Sequence, residues 1–258
     1  VNHPVAQTLS IQDPWTALRR YTDARIALGR VGASLTTDQV LAFSMAHARA
    51  RDAVHLALDT DLLAASLEAA GFQTLRAASR AADRATYLKR PDLGRSLAPE
   101  CRPALAVSGT APQNRLTIVV ADGLSALATI EHALPLLAVL RKRLATWTLD
   151  AVVIATQARV ALADEIGELR GAEAVVILLG ERPGLSSPNS LGVYMTYAPR
   201  QGRSDSERNC ISNVRAAGLS YEEAAYKLHY LLEQSRLGGR SGVTVKDSSA
   251  WDAQKNLQ

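Results

Sequence analysis

The chain has 258 residues, 47% of them hydrophobic and 21% charged, enough for one large or two modest domains with a true core. Lys plus Arg (29) exceed Asp plus Glu (25) by only four, and a cut at residue 110 leaves 13 against 10 and then 16 against 15, so neither half has the basic excess of a nucleic-acid binder. The two cysteines, Cys101 and Cys210, are too few for a disulfide framework or a cysteine zinc site. A reduced, cytoplasmic setting is expected: no uncharged apolar run approaches the roughly 18 residues that span a bilayer, and the polar start lacks a signal-peptide plan.

Asp13-Pro14 has the form of a helix start, and the spacing of Trp15, Leu18 and Ile26 predicts a helix over 14–28, up to Gly29. Thr36 with Gln39 reads as a capping box opening a second helix through Leu58, and Asp59 caps a third that Gly71 ends. Residues 72–75 are expected to be extended. Alanine is abundant in this first part, and aromatics are only 5% of the chain. Small side chains bury little apolar area, at about 25 cal/mol per Å², so such helices tend to lean on a partner.

A Pro-, Gly- and Ser-containing stretch over 91–113 is the expected linker. Beyond it, residues 116–121, 151–155 and 174–179 are short apolar runs separated by helical stretches, the signature of a parallel sheet covered on both faces. Residues 191–197 supply a fourth strand, Ser220 opens a helix to Leu237, and 241–245 reads as a last strand. The expected organisation is a flexible end (1–12), a mainly helical N-terminal domain (13–110), a Rossmann-like, three-layer α/β domain with a parallel sheet (111–247) and a polar tail (248–258), in which Trp251 is the one residue suited to docking.

Ligands of such sheets bind beyond the carboxyl ends of the strands, here the loops from Asp122, Thr156 and Gly180, and the segment leading to Cys210. No G-x-G-x-x-G or Walker pattern occurs. Asp122 and Glu181 form a candidate acid and base, against the simpler reading as helix caps or arginine partners. Cys210 as a nucleophile lacks a histidine nearby in sequence, and His47 with His55 lacks a third metal ligand. The charge run 83–95 reads either as solvated surface or as a phosphate contact.

Several strings taken together, namely 15–30, 46–55, 87–95, Ala121-Asp-Gly-Leu-Ser-Ala126, Arg159-Val-Ala161, Asp164-Glu-Ile-Gly167, Gly180-Glu-Arg-Pro-Gly-Leu185 and Cys210-Ile-Ser-Asn213, resemble the small subunit of ethanolamine ammonia-lyase in order and spacing over about residues 13–247. The resemblance implies a lyase that converts ethanolamine to acetaldehyde and ammonia by adenosylcobalamin radical chemistry: cobalt–carbon homolysis, hydrogen abstraction and a 1,2 amino shift. It also implies a barrel-shaped large subunit as partner in a hetero-oligomer, with the cofactor held base-on between the subunits. Val160, Glu181 and Cys210 match the family's cofactor contacts: an apolar or backbone contact, an acceptor for corrin amides and a pocket-lining residue. No residue is assigned a catalytic or metal-ligating role, and the D-x-H-x-x-G motif of base-off domains is missing from the sequence. The expected location is the cytoplasm, with a bacterial microcompartment as a special case. The competing readings are a structural subunit that organises the oligomer or targets a protein shell, and a freestanding enzyme using Asp122 and Glu181.

Overall fold

The computed structural model describes residues 11, 13–107, 109 and 112–251. The expected loose ends, 1–12 and 248–258, lie mostly outside these residues, although Trp251 is described and packs edge-on against Tyr226 with ring centroids 5.3 Å apart.

The first helix is shorter and tighter than the sequence suggests. Asp13 accepts a hydrogen bond from the Trp15 N–H and Pro14 starts the turn, but the result is a 3-10 helix over Pro14–Tyr21. None of its residues is buried, so nothing offsets the cost of continuing it, and Ala27 (φ 49°) and Gly29 (φ 77°) turn the chain left-handed before a helix to 28 can form. Helix α1 then runs over Thr37–His55, without the side-chain cap expected of Thr36, and α2 over Thr60–Ala69, where Asp59 accepts from the N–H groups of Asp61 and Leu62. Strand β1 (Thr74–Ala78) follows, then α3 (Arg84–Lys89) and the single turn α4 (Arg102–Leu105).

The second half contributes β2 (Arg115–Ala121), α5 (Ala126–Arg143), the short β3 (Thr148–Leu149), β4 (Val152–Thr156), α6 (Leu162–Leu169), β5 (Ala174–Gly180), β6 (Leu191–Tyr197), β7 (Asn209–Val214) and α7 (Tyr221–Gly238). The strands form one sheet in the order β1-β4-β2-β5-β6-β7, with β3 beside the start of β2. The protein is thus α/β with a mixed sheet. Strand β1, from the N-terminal side of the expected linker, pairs in parallel with β4 from Thr74↔Val152 to Ala78↔Thr156.

Three sequence expectations are corrected here. Strand β6 runs antiparallel to β5, because residues 181–190 hold no helix that would carry the chain back across the sheet. The last strand is Asn209–Val214, antiparallel to β6, in a stretch read from sequence as loop. Residues 241–245 form a turn instead of a strand: Gly242 has φ 87°, the Val245 N–H donates to the Gly242 carbonyl, and the Asn209 side-chain amide takes up the backbone groups of Gly242 and Val245.

The continuous apolar character of the central strands follows from burial on both faces. Leu116, Ile118, Val120, Val152, Ile154, Val176 and Leu178 point into one apolar cluster with α2, α5 and α7, whereas Val119, Ala121, Val153, Ala155, Val175 and Ile177 point into a second with Leu97, Leu105 and α6. Each fully buried Leu or Ile contributes about 1.5–3 kcal/mol relative to exposure, which makes this sheet the scaffold on which the loops are carried.

Candidate functional site

Between β2 and β5 the strand order reverses, since β4 flanks β2 on one side and β5 on the other. An open α/β sheet ordinarily admits ligands at that point. Here the loops close it. The Leu124 N–H donates to the Gly180 carbonyl (2.9 Å) and the Ser125 hydroxyl to the Pro188 carbonyl (2.7 Å). The contact is so close that a Cβ on Gly180 would come within 2.0 Å of the Ser125 carbonyl oxygen. Asp122 is likewise consumed: its carboxylate accepts from the N–H groups of Gln157 (2.9 Å) and Ala158 (3.2 Å) and meets Arg84 at 3.4 Å. Burial pushes its pKa up. It ties the ends of β2 and β4 together.

The open space lies to one side. A cavity of about 330 Å³ is lined by Pro91, Arg95, Arg159, Val160, Ala161, Tyr194, Asp205, Arg208 and Cys210. Val160 sits in the turn from β4 to α6, half-buried against the second apolar cluster, and its carbonyl accepts from the Ala163 N–H (3.1 Å). Cys210 is brought to the same cavity by the β6–β7 pairing, which places it opposite Tyr194. Glu181 adjoins them: its Oε2 accepts from the Ser190 hydroxyl and the Asn213 N–H (3.3 Å), and its Oε1 lies where a Cβ on Gly192 would approach to 3.0 Å, beside the Tyr194 ring. No bond to Arg182 fixes it. The neighbour pairing expected from sequence is replaced by Ser190 and the backbone of β7.

The electrostatics argue against covalent chemistry at Cys210. Cys210 is exposed as a residue, but desolvation of its thiol raises the pKa, opposed by hydrogen bonding with the Ser212 hydroxyl (3.2 Å between Sγ and Oγ) and the Tyr194 phenol. Desolvation raises the Tyr194 phenol too, followed by the charges of Cys210 and Glu181. Both groups therefore stay protonated at neutral pH and act as a neutral, polar wall.

The charge run 83–95 contributes Pro91 and Arg95 to the lining. Arg90 and Asp92 form an exposed ion pair, as expected of solvated surface. Tyr87, however, is fully buried: its hydroxyl donates to the Ala158 carbonyl (3.0 Å), and burial pushes its pKa up to about 12. Arg84 and Arg159 lie over its ring at 4.8 and 4.3 Å. Arg208 is buried in a pair with Asp164 of α6 and also bonds Asp205. Sequence reasoning missed Tyr194 and Arg208 as lining residues and Tyr87 as the buried ring beneath Arg159. Tyr194 becomes visible only once β7 is known to be a strand, while Tyr87 and Arg208 carry no local pattern.

His47 and His55 lie on α1, and among the described residues no group of three His, Cys, Asp or Glu side chains is placed to hold a metal ion. None of the described residues forms a helix long and apolar enough to cross a membrane.

Comparison with known proteins places these features in context. The family described as "Ethanolamine ammonia-lyase light chain (EutC)" matches residues 12–246. The ethanolamine ammonia-lyase small subunit of Azotobacter vinelandii is 56% identical over 244 residues, covering 92% of this chain and 90% of that protein. The small subunit of Pseudomonas syringae pv. tomato is 54% identical, covering 92% and 84%. A third, from Pseudomonas fluorescens, is 50% identical over 253 residues, covering 96% and 91%.

Proposed function

Because this chain belongs to the ethanolamine ammonia-lyase small-subunit (light-chain) family, and so is part of a lyase complex, we propose that its cavity holds one side of adenosylcobalamin, in the base-on form, against the large subunit. The observation that carries this reading is that Val160 and Cys210, which come from separate parts of the chain, line one cavity, with Glu181 beside the Tyr194 ring that also lines it. The fit is chemical as well as spatial. A cavity of about 330 Å³ takes only part of a corrinoid, which suits a chain that covers one side of the ligand and leaves the other to a partner. No histidine lines it, so this wall offers no imidazole to replace the cofactor's own lower base.

The chemistry that adenosylcobalamin supplies when bound is a carbon radical able to start the conversion of ethanolamine to acetaldehyde and ammonia. The protein's part is to position and to exclude water. Val160 gives an apolar contact. Glu181, anchored through Oε2, presents its remaining oxygen as an acceptor for amide N–H groups. Tyr194 and Cys210 close the wall with groups that neither ionise nor attack at neutral pH. None of these side chains is assigned as an acid, base or nucleophile.

We also infer that the N-terminal segment docks on the large subunit, a barrel under the family reading. Trp15 (65% exposed), Tyr21, Leu41, Phe43 (46%) and Met45 (55%) are large apolar side chains left open to water within one stretch of the chain, and a partner's surface would cover them. This segment also touches the site: the Ser186 hydroxyl donates to the Asp23 carbonyl (3.2 Å), linking it to the loop that carries Glu181. Docking there would transmit directly to the cofactor wall. The location we propose for the reaction is the cytoplasm, or a microcompartment in organisms that build one.

The test is reconstitution. The chain and its large subunit together, given adenosylcobalamin and ethanolamine, should release acetaldehyde, and either chain alone should not. An assembled complex that binds the cofactor yet gives no acetaldehyde contradicts the proposal.

A further inference from the structure

We propose that the arginine side of the cavity, Arg159 with Arg95 beside it, is a binding subsite for a phosphodiester; resting on the cofactor reading above, its ligand is the phosphodiester of the cofactor's nucleotide tail.

Arg159 is held in place by a buried platform. Its N–H donates to the Gly94 carbonyl (2.8 Å), and its guanidinium lies 4.3 Å from the centre of the Tyr87 ring. Gly94 is what permits this seat: a Cβ there would come within 2.9 Å of Arg159 Cγ and 3.0 Å of the Tyr87 ring. The donors of this fixed side chain remain largely unspent. Its Nε is buried without a hydrogen-bond partner, its Nη2 makes one long contact to the Tyr87 carbonyl (3.4 Å), and no carboxylate among the described residues lies within ion-pair distance. A buried N–H without a partner is costly, by an amount that an anionic acceptor in the cavity would recover.

The neighbouring arginines show the contrast. Arg208 is saturated by Asp164, Asp205 and the Arg203 carbonyl. Arg95 shares Asp205 with it, at 3.1 Å. Three guanidiniums thus line the cavity against the single lining carboxylate Asp205, and Arg159 is the one with no carboxylate of its own. A planar, stacked guanidinium with free donors suits a tetrahedral oxyanion better than a point charge does. Glu181, beside the Tyr194 ring, supplies an acceptor next to the cavity, while Arg159 supplies its unspent donors within the lining.

The experiment titrates the complex of this chain with its large subunit by visible spectrum. Three probes are used: cyanocobalamin; cobinamide, which keeps the corrin ring but lacks the nucleotide and its phosphodiester; and cobinamide phosphate, which regains the phosphate without the base. Arg159→Gln should weaken cyanocobalamin and cobinamide phosphate by about 10- to 100-fold while leaving cobinamide unchanged. Arg159→Lys, which keeps the charge, should lose less. The unchanged cobinamide affinity also reports that the variant is folded and assembled. Equal weakening of all three probes, or of none, overturns the subsite. A wild-type complex that binds no corrinoid overturns the cofactor reading and the subsite with it.

Discussion

At Cys210, the raised thiol pKa and the place of the side chain in the cavity lining favour lining over attack. A thiol above its ordinary value is almost wholly protonated near pH 7, and the thiolate is the nucleophile. Cys210→Ser is therefore expected to keep acetaldehyde turnover within about 3-fold of the parent, a change of under 1 kcal/mol; loss of activity by orders of magnitude would assign the thiol a chemical role. Glu181→Gln should behave differently. It keeps the side chain's shape but weakens the charge-assisted acceptor, so the complex should assemble while cobalamin affinity falls about 10-fold, measured by spectral titration. Of the candidate residues, Val160, Glu181 and Cys210 were legible only through the family resemblance carried by their motifs, and Val160 and Cys210 line the cavity. Tyr194 and Tyr87 were not, because their roles depend on pairings with Cys210 and Ala158, which are distant along the chain.

Helix α6 shows why a motif can be essential without touching ligand. Asp164 and Glu165 are both buried: the first pairs with Arg208, and the second accepts from the Leu97 N–H (2.8 Å) and pairs with Arg102. The helix thereby clamps the segment before β7, whose Arg208 lines the cavity, on one side and the segment after the charge run on the other. Asp164→Asn leaves the Arg208 guanidinium buried with only Asp205 for charge, and should cost about 3 kcal/mol of stability by chemical denaturation. A cost below about 0.5 kcal/mol would remove the clamp from this account. At this scale the sequence revealed the central strands well, since β2, β4 and β5 are continuous apolar runs. It misjudged β6 and β7, whose direction depends on a connection too short for a crossover, and 241–245, where an apolar pattern is overridden by the left-handed Gly242 and the Asn209 amide.

Across the whole molecule, stability should depend on pH through two histidines. Burial holds His132 below its ordinary value of 6.5, against the raising charge of Glu131, with Tyr221 bonded to its Nδ1 at 2.9 Å. Burial likewise lowers His229, packed among Glu233, Arg143 and Arg236. With folded pKa values depressed, the unfolded chain takes up protons first as pH falls through 6.5, so their contribution is present above 6.5 and is lost on acidification. The midpoint of thermal unfolding should fall between pH 8 and pH 5.5, and His132→Gln should flatten the slope. A midpoint independent of pH in that window would contradict this assignment.

Under the proposed function, the exposed apolar residues of the N-terminal segment and the cavity serve together: a wall that is complete only when the large subunit covers it. The most direct test fills the cavity. In the complex with the large subunit, Val160→Trp places an indole in the cavity proposed to hold the corrinoid, while Trp15, Phe43 and the proposed docking surface are untouched. Titration with hydroxocobalamin should show affinity falling by about 100-fold or more with the complex intact by size-exclusion chromatography, a loss of about 2.7 kcal/mol or more. An unchanged affinity in the intact complex would place the cofactor elsewhere.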